Sequence, residues 1–367
     1  MKKLLLLLAL SGCVAAGHAQ EILLGTDFKM YFDNKEFGSN EFAVPGLDIE
    51  SGTDFAARLT PRVGIRWDEK NTLVIAADMI KNFGSAESAY LSEVKPVFYY
   101  QFQTPKVTAA AGIFTRDMMH DDDYSTAFFS ESERFFHNRM NGVLAQYNGK
   151  RDSYVEFVCD WEGMYSTLSR EKFRILLAGR HYLDTFYYGF NYSMFHYAGQ
   201  QGAPIENVVD LQLLTPCVGV RFNAFFDFDI KLGALLTAQR DRSFGHSWEK
   251  PCMGEFAFRI SRWGLSLDER LYVGDNIHPF FYGHELEDGT PLPYGRELYP
   301  AESFFRTDQK VYSRTALSYR RSFFDDTVSV RAEFAAHHDG TALGTQQMLV
   351  VGVKLLKTVY NSKNHKK

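Results

Sequence analysis

The chain has 367 residues, a formal net charge of −5 and a mean hydropathy of −0.26. No stretch beyond the N-terminal segment approaches the roughly 18–20 unbroken apolar residues of a helical membrane span. The acidic balance argues against nucleic acid as a principal partner, and aromatics make up 15% of the chain, with 32 Phe and 20 Tyr against 4 Trp.

In chain order, the first element reads as an export signal over residues 1–19. Lys2 and Lys3 form a positive start, Leu4–Leu10 an apolar run, and Gly17-His18-Ala19 a small-residue cleavage site before Gln20. Leu10-Ser11-Gly12-Cys13 also fits a lipobox, which would lipidate Cys13. Beyond the signal, Cys159, Cys217 and Cys252 remain, an odd count without metal-type spacing. The expectation is neither a disulfide framework nor a metal or other cofactor.

The rest is dominated by period two. In Thr26–Asp33 the even positions are mainly apolar. In Phe55–Trp67 the odd positions are apolar, and Arg58, Arg62 and Arg66 stand opposite them. A strand sends alternate side chains to opposite faces, so each segment has one greasy and one polar face. The pattern predicts sixteen strands, near 24–33, 54–67, 72–82, 90–103, 106–117, 139–148, 153–162, 172–182, 186–198, 208–222, 227–240, 252–262, 265–274, 304–322, 327–337 and 345–359. Short connections such as Asp68–Asn71, Thr104-Pro105 and Trp263-Gly264 alternate with long ones such as 34–53, 118–138 and 275–303. Backbone polar groups in lipid must pair, so such a sheet must close. Short periplasmic turns alternating with long outer loops are the rhythm of a transmembrane barrel. The predicted fold is all-β: an antiparallel membrane barrel of about 16 strands over residues 20–360, with a short polar periplasmic tail at 361–367. The expected location is the outer membrane of a Gram-negative bacterium.

The signal ending His18-Ala19-Gln20, the strand rhythm and Gly112-Ile113-Phe114-Thr115-Arg116 leading into Asp123-Tyr124 and Phe128-Phe129-Ser130 resemble porin-type outer-membrane proteins of Bacteroides-like bacteria, and loosely the phosphate-selective porins. The resemblance implies passive diffusion of small solutes. The tail Asn361–Lys367 departs from it, because the terminal aromatic is not in its standard place.

The alternation turns Arg58, Arg62, Arg66, Arg116, Arg174, Arg180, Arg259, Arg306, Lys310, Arg314 and Arg331 inward. Inward acids are fewer, so the wall reads basic, and the excess acid is assigned to loops such as Asp121-Asp122-Asp123 and Glu285–Asp288. Rings of Arg and Lys favour anions; the competing reading is that these arginines pair with acids and brace the wall. The connection 118–138 is a candidate inward constriction, with Asp121, Asp122, Asp123, Phe128 and Phe129 as its markers. A lipase- or protease-type barrel would need Ser/His or Asp/His groups at the outer rim. His120 beside Asp121–Asp123, and His337-His338-Asp339, are the candidates. No serine stands in a nucleophile context, so the expectation is a channel and not an enzyme, with a non-conducting adhesion or assembly barrel as another alternative. Expected partners are the lipid bilayer, small solutes including anions, and the outer-membrane assembly machinery; a homotrimer is compatible with this size. Glu269 is a misfit, since alternation faces it to lipid between Leu267 and Leu271.

Overall fold

The computed structural model describes residues 21–37, 51–84, 89–203, 207–243, 245, 247–281, 284–285, 289, 291–292, 294–306 and 309–361. The proposed signal, Cys13 and most of the proposed tail lie outside these.

Sixteen strands form one closed antiparallel barrel: β1 (Glu21–Phe37), β2 (Gly52–Trp67), β3 (Asn71–Asn82), β4 (Glu93–Gln103), β5 (Val107–Thr115), β6 (Arg139–Asn148), β7 (Tyr154–Gly163), β8 (Lys172–Leu183), β9 (Phe186–Tyr197), β10 (Val209–Asn223), β11 (Asp227–Asp241), β12 (Cys252–Arg262), β13 (Leu265–Gly274), β14 (Val311–Phe323), β15 (Val328–His338) and β16 (Leu343–Asn361). Every strand pairs with its sequence neighbours, and β1 closes the ring on β16 from Glu21↔Asn361 to Phe37↔Gly344. Closure leaves no edge strand, so the ladder satisfies the backbone throughout. No helix among the described residues is long and apolar enough to cross a membrane.

The turns at one end are tight for a chemical reason. Asp68 and Glu69 (φ 52° and 58°), Arg151 and Asp152 (56° and 60°), and Trp263 and Gly264 (55° and 86°) adopt left-handed backbone. Such turns match the right-handed twist of the strands they join. At Gly264 a side chain would also meet the Arg320 carbonyl, with Cβ 2.5 Å away.

The strand expectations hold with one shift. Residues 304–310 alternate like the start of a strand, but Ser303–Arg306 form a 3-10 turn and the strand begins at Val311. Arg306 therefore belongs to a connection. It is buried and stacks over Phe281, 3.9 Å from the ring centroid. Lys310 lies at the outer end, 72% exposed, 2.6 Å from Asp275.

The two faces differ as period two requires. In β3, Val74 and Ile80 are buried while Leu73 and Ile75 are exposed. In β13, Leu265, Leu267 and Val273 face out while Tyr272 is fully buried. The outward face meets lipid. A charge on it in mid-strand costs about 2–4 kcal/mol near the bilayer midplane. Ile75→Arg is therefore expected to lower stability by about that amount in urea unfolding from lipid vesicles, and an unchanged midpoint would mean that the faces are inverted.

Candidate functional site

The connection from β5 to β6 does not stay outside. Leaving β5, the chain dips down the lumen through a 3-10 turn at Arg116–Met118, reaches the far end at His120–Tyr124, and climbs back to β6. Lys29 on β1 takes Asp117 at 2.6 Å, and Arg180 near the short-turn end of β8 takes Asp123 at 2.7 Å. The Tyr124 hydroxyl donates to Glu156 of β7 at 3.0 Å. Phe128 and Phe129 are buried, and Phe129 lies between two guanidiniums, 3.9 Å from Arg116, which stands in the 3-10 turn and not on the strand expected over 106–117, and 5.4 Å from Arg174 of β8. The ring face thus attracts both cations beside their carboxylate partners.

A short helix, α1 (Glu131–Phe136), lies inside the barrel along the wall from β15 to β2. Ser130 caps it by accepting from the Glu133 amide at 3.0 Å. Its C-terminal carbonyls, at Phe135 and Phe136, accept from Arg58 on β2, so a wall arginine satisfies the helix end. Phe135 stacks on Tyr31 at 4.9 Å.

The connection from β13 to β14 also folds in. The Ser130 amide donates to the Pro300 carbonyl at 2.8 Å, and the Glu131 amide to Glu302 Oε1 at 3.1 Å. Lys35 of β1 takes Glu302 at 2.9 Å, and Arg331 of β15 takes Glu131 at 3.3 Å. Burial pushes the Glu302 carboxyl up, but Lys35 outweighs it and holds the group at about 2. Glu131 is likewise held below the usual range against burial, by Arg331 and Arg134.

Among the described residues, two cavities of about 610 Å³ each flank α1. The inner one, towards the short turns, is lined by Lys29, Arg58, Asp117, Asp121–Asp123, Glu131 and Arg331 among others. The outer one is lined by Lys35, Lys95, Glu133, His137, Arg174 and Glu302 among others. Arg116 lines both, and α1 lies between them.

The inward arginines of the candidate set are paired with acids. Arg58 meets Asp78 at 2.8 Å, Arg66 meets Glu21 at 3.2 Å, Arg116 meets Asp121 at 3.7 Å and Arg174 meets Glu162 at 3.0 Å. Arg62 pairs with Asp27, Arg259 with Asp268 and Arg314 with Glu333, while Arg331 reaches Glu333 at 3.0 Å besides Glu131. Asp121–Asp123 stand on the connection read as a candidate inward constriction and face the lumen, so these loop acids offset the basic wall from inside the barrel. The lumen is therefore nearly balanced. Among described residues the outer cavity has seven Lys/Arg against six Asp/Glu, and the inner six against five.

Of the proposed rim histidines, His120 lies at the short-turn end, whereas His337 is at the outer strand end but turned inward. His120 stacks on Tyr154 at 3.8 Å and lines the inner cavity. His337 is buried between Tyr312 and Gln346. A pair that sequence reasoning passed over does face a cavity: His137 Nδ1 is 2.7 Å from Glu133 Oε2 at the end of α1. Burial raises the Glu133 carboxyl, but the hydrogen bond and charge of His137 hold it below its usual range. The i,i+4 spacing of Glu133 and His137, just after a Ser-x-x-Glu capping box at Ser130, was a usable signal.

The site defines a closed membrane barrel whose lumen is narrowed by two folded-in connections. A family model described as lipid A 3′-O-deacylase-type matches residues 14–245, and the chain belongs to that family. This overturns the expectation that the chain is not an enzyme, because the family is named for an ester-cleaving activity. No curated protein matches. Among solved structures, OprD from Pseudomonas aeruginosa is 11% identical, covers 93% of this chain and 95% of its own, and has a TM-score of 0.45. OpdK from Pseudomonas aeruginosa is 9% identical with 93% and 100% covered and a TM-score of 0.46. A porin variant from Rh. blastica is 11% identical with 91% and 100% covered and a TM-score of 0.45. At these values the likenesses say nothing about what the barrel does.

Glu302 gives a pH test. Its carboxyl is held at about 2 in the fold against an ordinary 4.5. Its ionised form stabilises the fold fully above pH 4.5, and that contribution is lost as pH falls through about 2. Thermal melting of the purified barrel should drop between pH 5 and pH 2.5, and Glu302→Gln should flatten that drop while lowering the midpoint at pH 7. An identical pH slope in the variant would contradict the inward tether.

Proposed function

We propose that the protein is a narrow channel through a Gram-negative outer membrane for small hydrophilic solutes, with a weak preference for anions. The observation that carries this reading is the pair of cavities, one above the other, with Arg116 in the wall of both. A sixteen-strand barrel is wide enough for an aqueous path, and the inward connections reduce it to a charge-lined constriction. The small excess of cations over acids supports a slight anion preference. Close ion pairing argues against a strong one, because paired charges leave little net field. Phosphate is a reasonable probe on these grounds, as Arg binds phosphate oxygens in pairs.

Planar-bilayer recording in a salt gradient tests this. Wild type should give resolved conductance steps and a small reversal potential of anion-favouring sign. Arg116→Gln should move that potential towards zero or beyond. A silent barrel, or a cation-favouring wild type, would sink the reading.

Family membership favours a second activity, hydrolysis of an ester-linked acyl chain on lipid A. His137, oriented by Glu133, is the group in the described cavities best placed to take a proton from water. The dyad opens on the lumen, so a substrate would reach it from the extracellular mouth. Purified barrel incubated with lipid A should release fatty acid, and His137→Ala should slow release by about 10²-fold or more with the barrel still folded. Release unaffected by that change would remove His137 from the role, and no release from wild type would remove the activity.

A further inference from the structure

The ladder that closes the ring stops before β16 does. On its β15 side β16 is paired only as far as Val328↔Val353, and the Lys354 amide then donates to the Thr327 carbonyl of the turn at 2.8 Å. On its other side it stays paired with β1, from Thr26↔Leu355 to Glu21↔Asn361. β16 is 19 residues long, against the roughly 9–11 that cross a membrane. Strand tilt staggers the rim at every hairpin. At the short-turn end the next longest overhang is four residues, Arg320–Phe323 of β14 past Leu265↔Tyr319. On β16 it is eight, Lys354–Asn361. Among the described residues, none pairs with Leu355–Val359 on the open side.

In an antiparallel ladder alternate residues turn both backbone groups to the same side. Lys354 turns its amide to the β15 side, so Leu356 and Thr358 turn N–H and C=O there as well. Hydrocarbon tolerates no open edge, so this stretch stands in water at the short-turn end, which in barrels of this kind faces the periplasm. Water suits the amides but not the side chains: Leu355, Leu356 and Val359 are 51%, 58% and 49% exposed. Native proteins blunt or cover apolar edges, because such edges recruit other strands. An extended peptide fits this one, since its own amides complete the ladder and its alternate side chains meet the leucines.

Charge narrows the occupant. Residues 354–367 carry five Lys and one His, with no Asp or Glu. An identical edge would set lysines against lysines, and so would this chain's own 362–367, Ser-Lys-Asn-His-Lys-Lys. An acidic strand is drawn by the same lysines. Asp325 and Asp326 stand in the turn at the root of the overhang, next to Thr327, so the partner's acids belong towards the tail.

We propose that the open side of β16 beyond Val353 docks an extended acidic segment of a periplasmic polypeptide, which adds a further strand beside Leu356 and Thr358.

The test is binding of a fluorescent synthetic octapeptide of alternating Glu and Val to the purified full-length barrel in lipid nanodiscs, read by anisotropy. It should bind saturably. The same peptide N-methylated along its backbone, and a peptide of alternating Lys and Val, should each bind at least about tenfold more weakly, since one loses the ladder bonds and the other the charge attraction. Leu356→Pro removes an N–H that the ring does not use, and should weaken binding by a similar factor with heat-modifiability on gels unchanged, whereas Leu356→Ala should leave it nearly intact. If the proline variant fails to fold, the peptide comparisons on wild type decide. Removal of 362–367 should weaken binding, and a gain instead would give the edge to the chain's own tail. The proposal is overturned by that gain, by absence of saturable binding, by equal binding of the N-methylated or Lys peptide, or by full binding to a folded Leu356→Pro barrel. A wild type that pairs with a second copy through this edge, and separates in Leu356→Pro, overturns it too.

Discussion

In hydrocarbon a backbone amide has no water to fall back on, and this single constraint organises the molecule. It forces β1 onto β16, because any other ending would leave a row of unpaired donors and acceptors in lipid. Once the ring is closed, alternation assigns every strand residue to lipid or lumen. Outward aromatics such as Phe98 and Tyr188 then meet lipid, and most strand charges turn inwards. A ring of sixteen strands is too wide for wall side chains to fill alone. The inward connections fill the difference, and the function follows from how they do so.

The filling is electrostatic as much as apolar. Wall arginines and lysines attract acids carried by the connections: Lys29 takes Asp117, Arg180 takes Asp123, Arg331 takes Glu131 and Lys35 takes Glu302. Each such pair is only partly wet, so it is screened less than a surface pair and is backed by further hydrogen bonds. Phe128, Phe129 and Phe135 supply the apolar packing that makes these positions unique. The basic wall is therefore an attachment surface for the loops before it is a selectivity filter. The formal charge of −5 hides this arrangement, because the acids that balance the wall stand beside it and not outside the barrel.

Much of the fold was legible because strand alternation is a local signal. Phe55–Trp67 declares its two faces without reference to any other segment. Residues 304–310 misled because Phe304 and Arg306 mimic the alternation of the strand that follows, while their burial comes from Phe281, Tyr272 and Tyr312, far apart in sequence or beyond the turn. The inward course of 116–138 was legible only as a candidate. What fixes it is pairing between Lys29 and Asp117, 88 positions apart, and Arg331 and Glu131, 200 apart, which no periodicity encodes. The His137–Glu133 pair was within reach of a local argument. His120 and His337 carry the louder sequence signal, yet their acidic neighbours in sequence are not their partners in space.

The central claim is that the folded-in β5–β6 connection, held by these ion pairs, sets the bore of the lumen. Liposome swelling with sugars of increasing size measures that bore directly, comparing the intact barrel with one in which residues 119–136 are replaced by a short Gly/Ser link. The account predicts entry of small sugars with a sharp size limit for the intact barrel, and entry of clearly larger ones after the replacement. The same limit in both barrels, with the shortened one still heat-modifiable on gels, would contradict it.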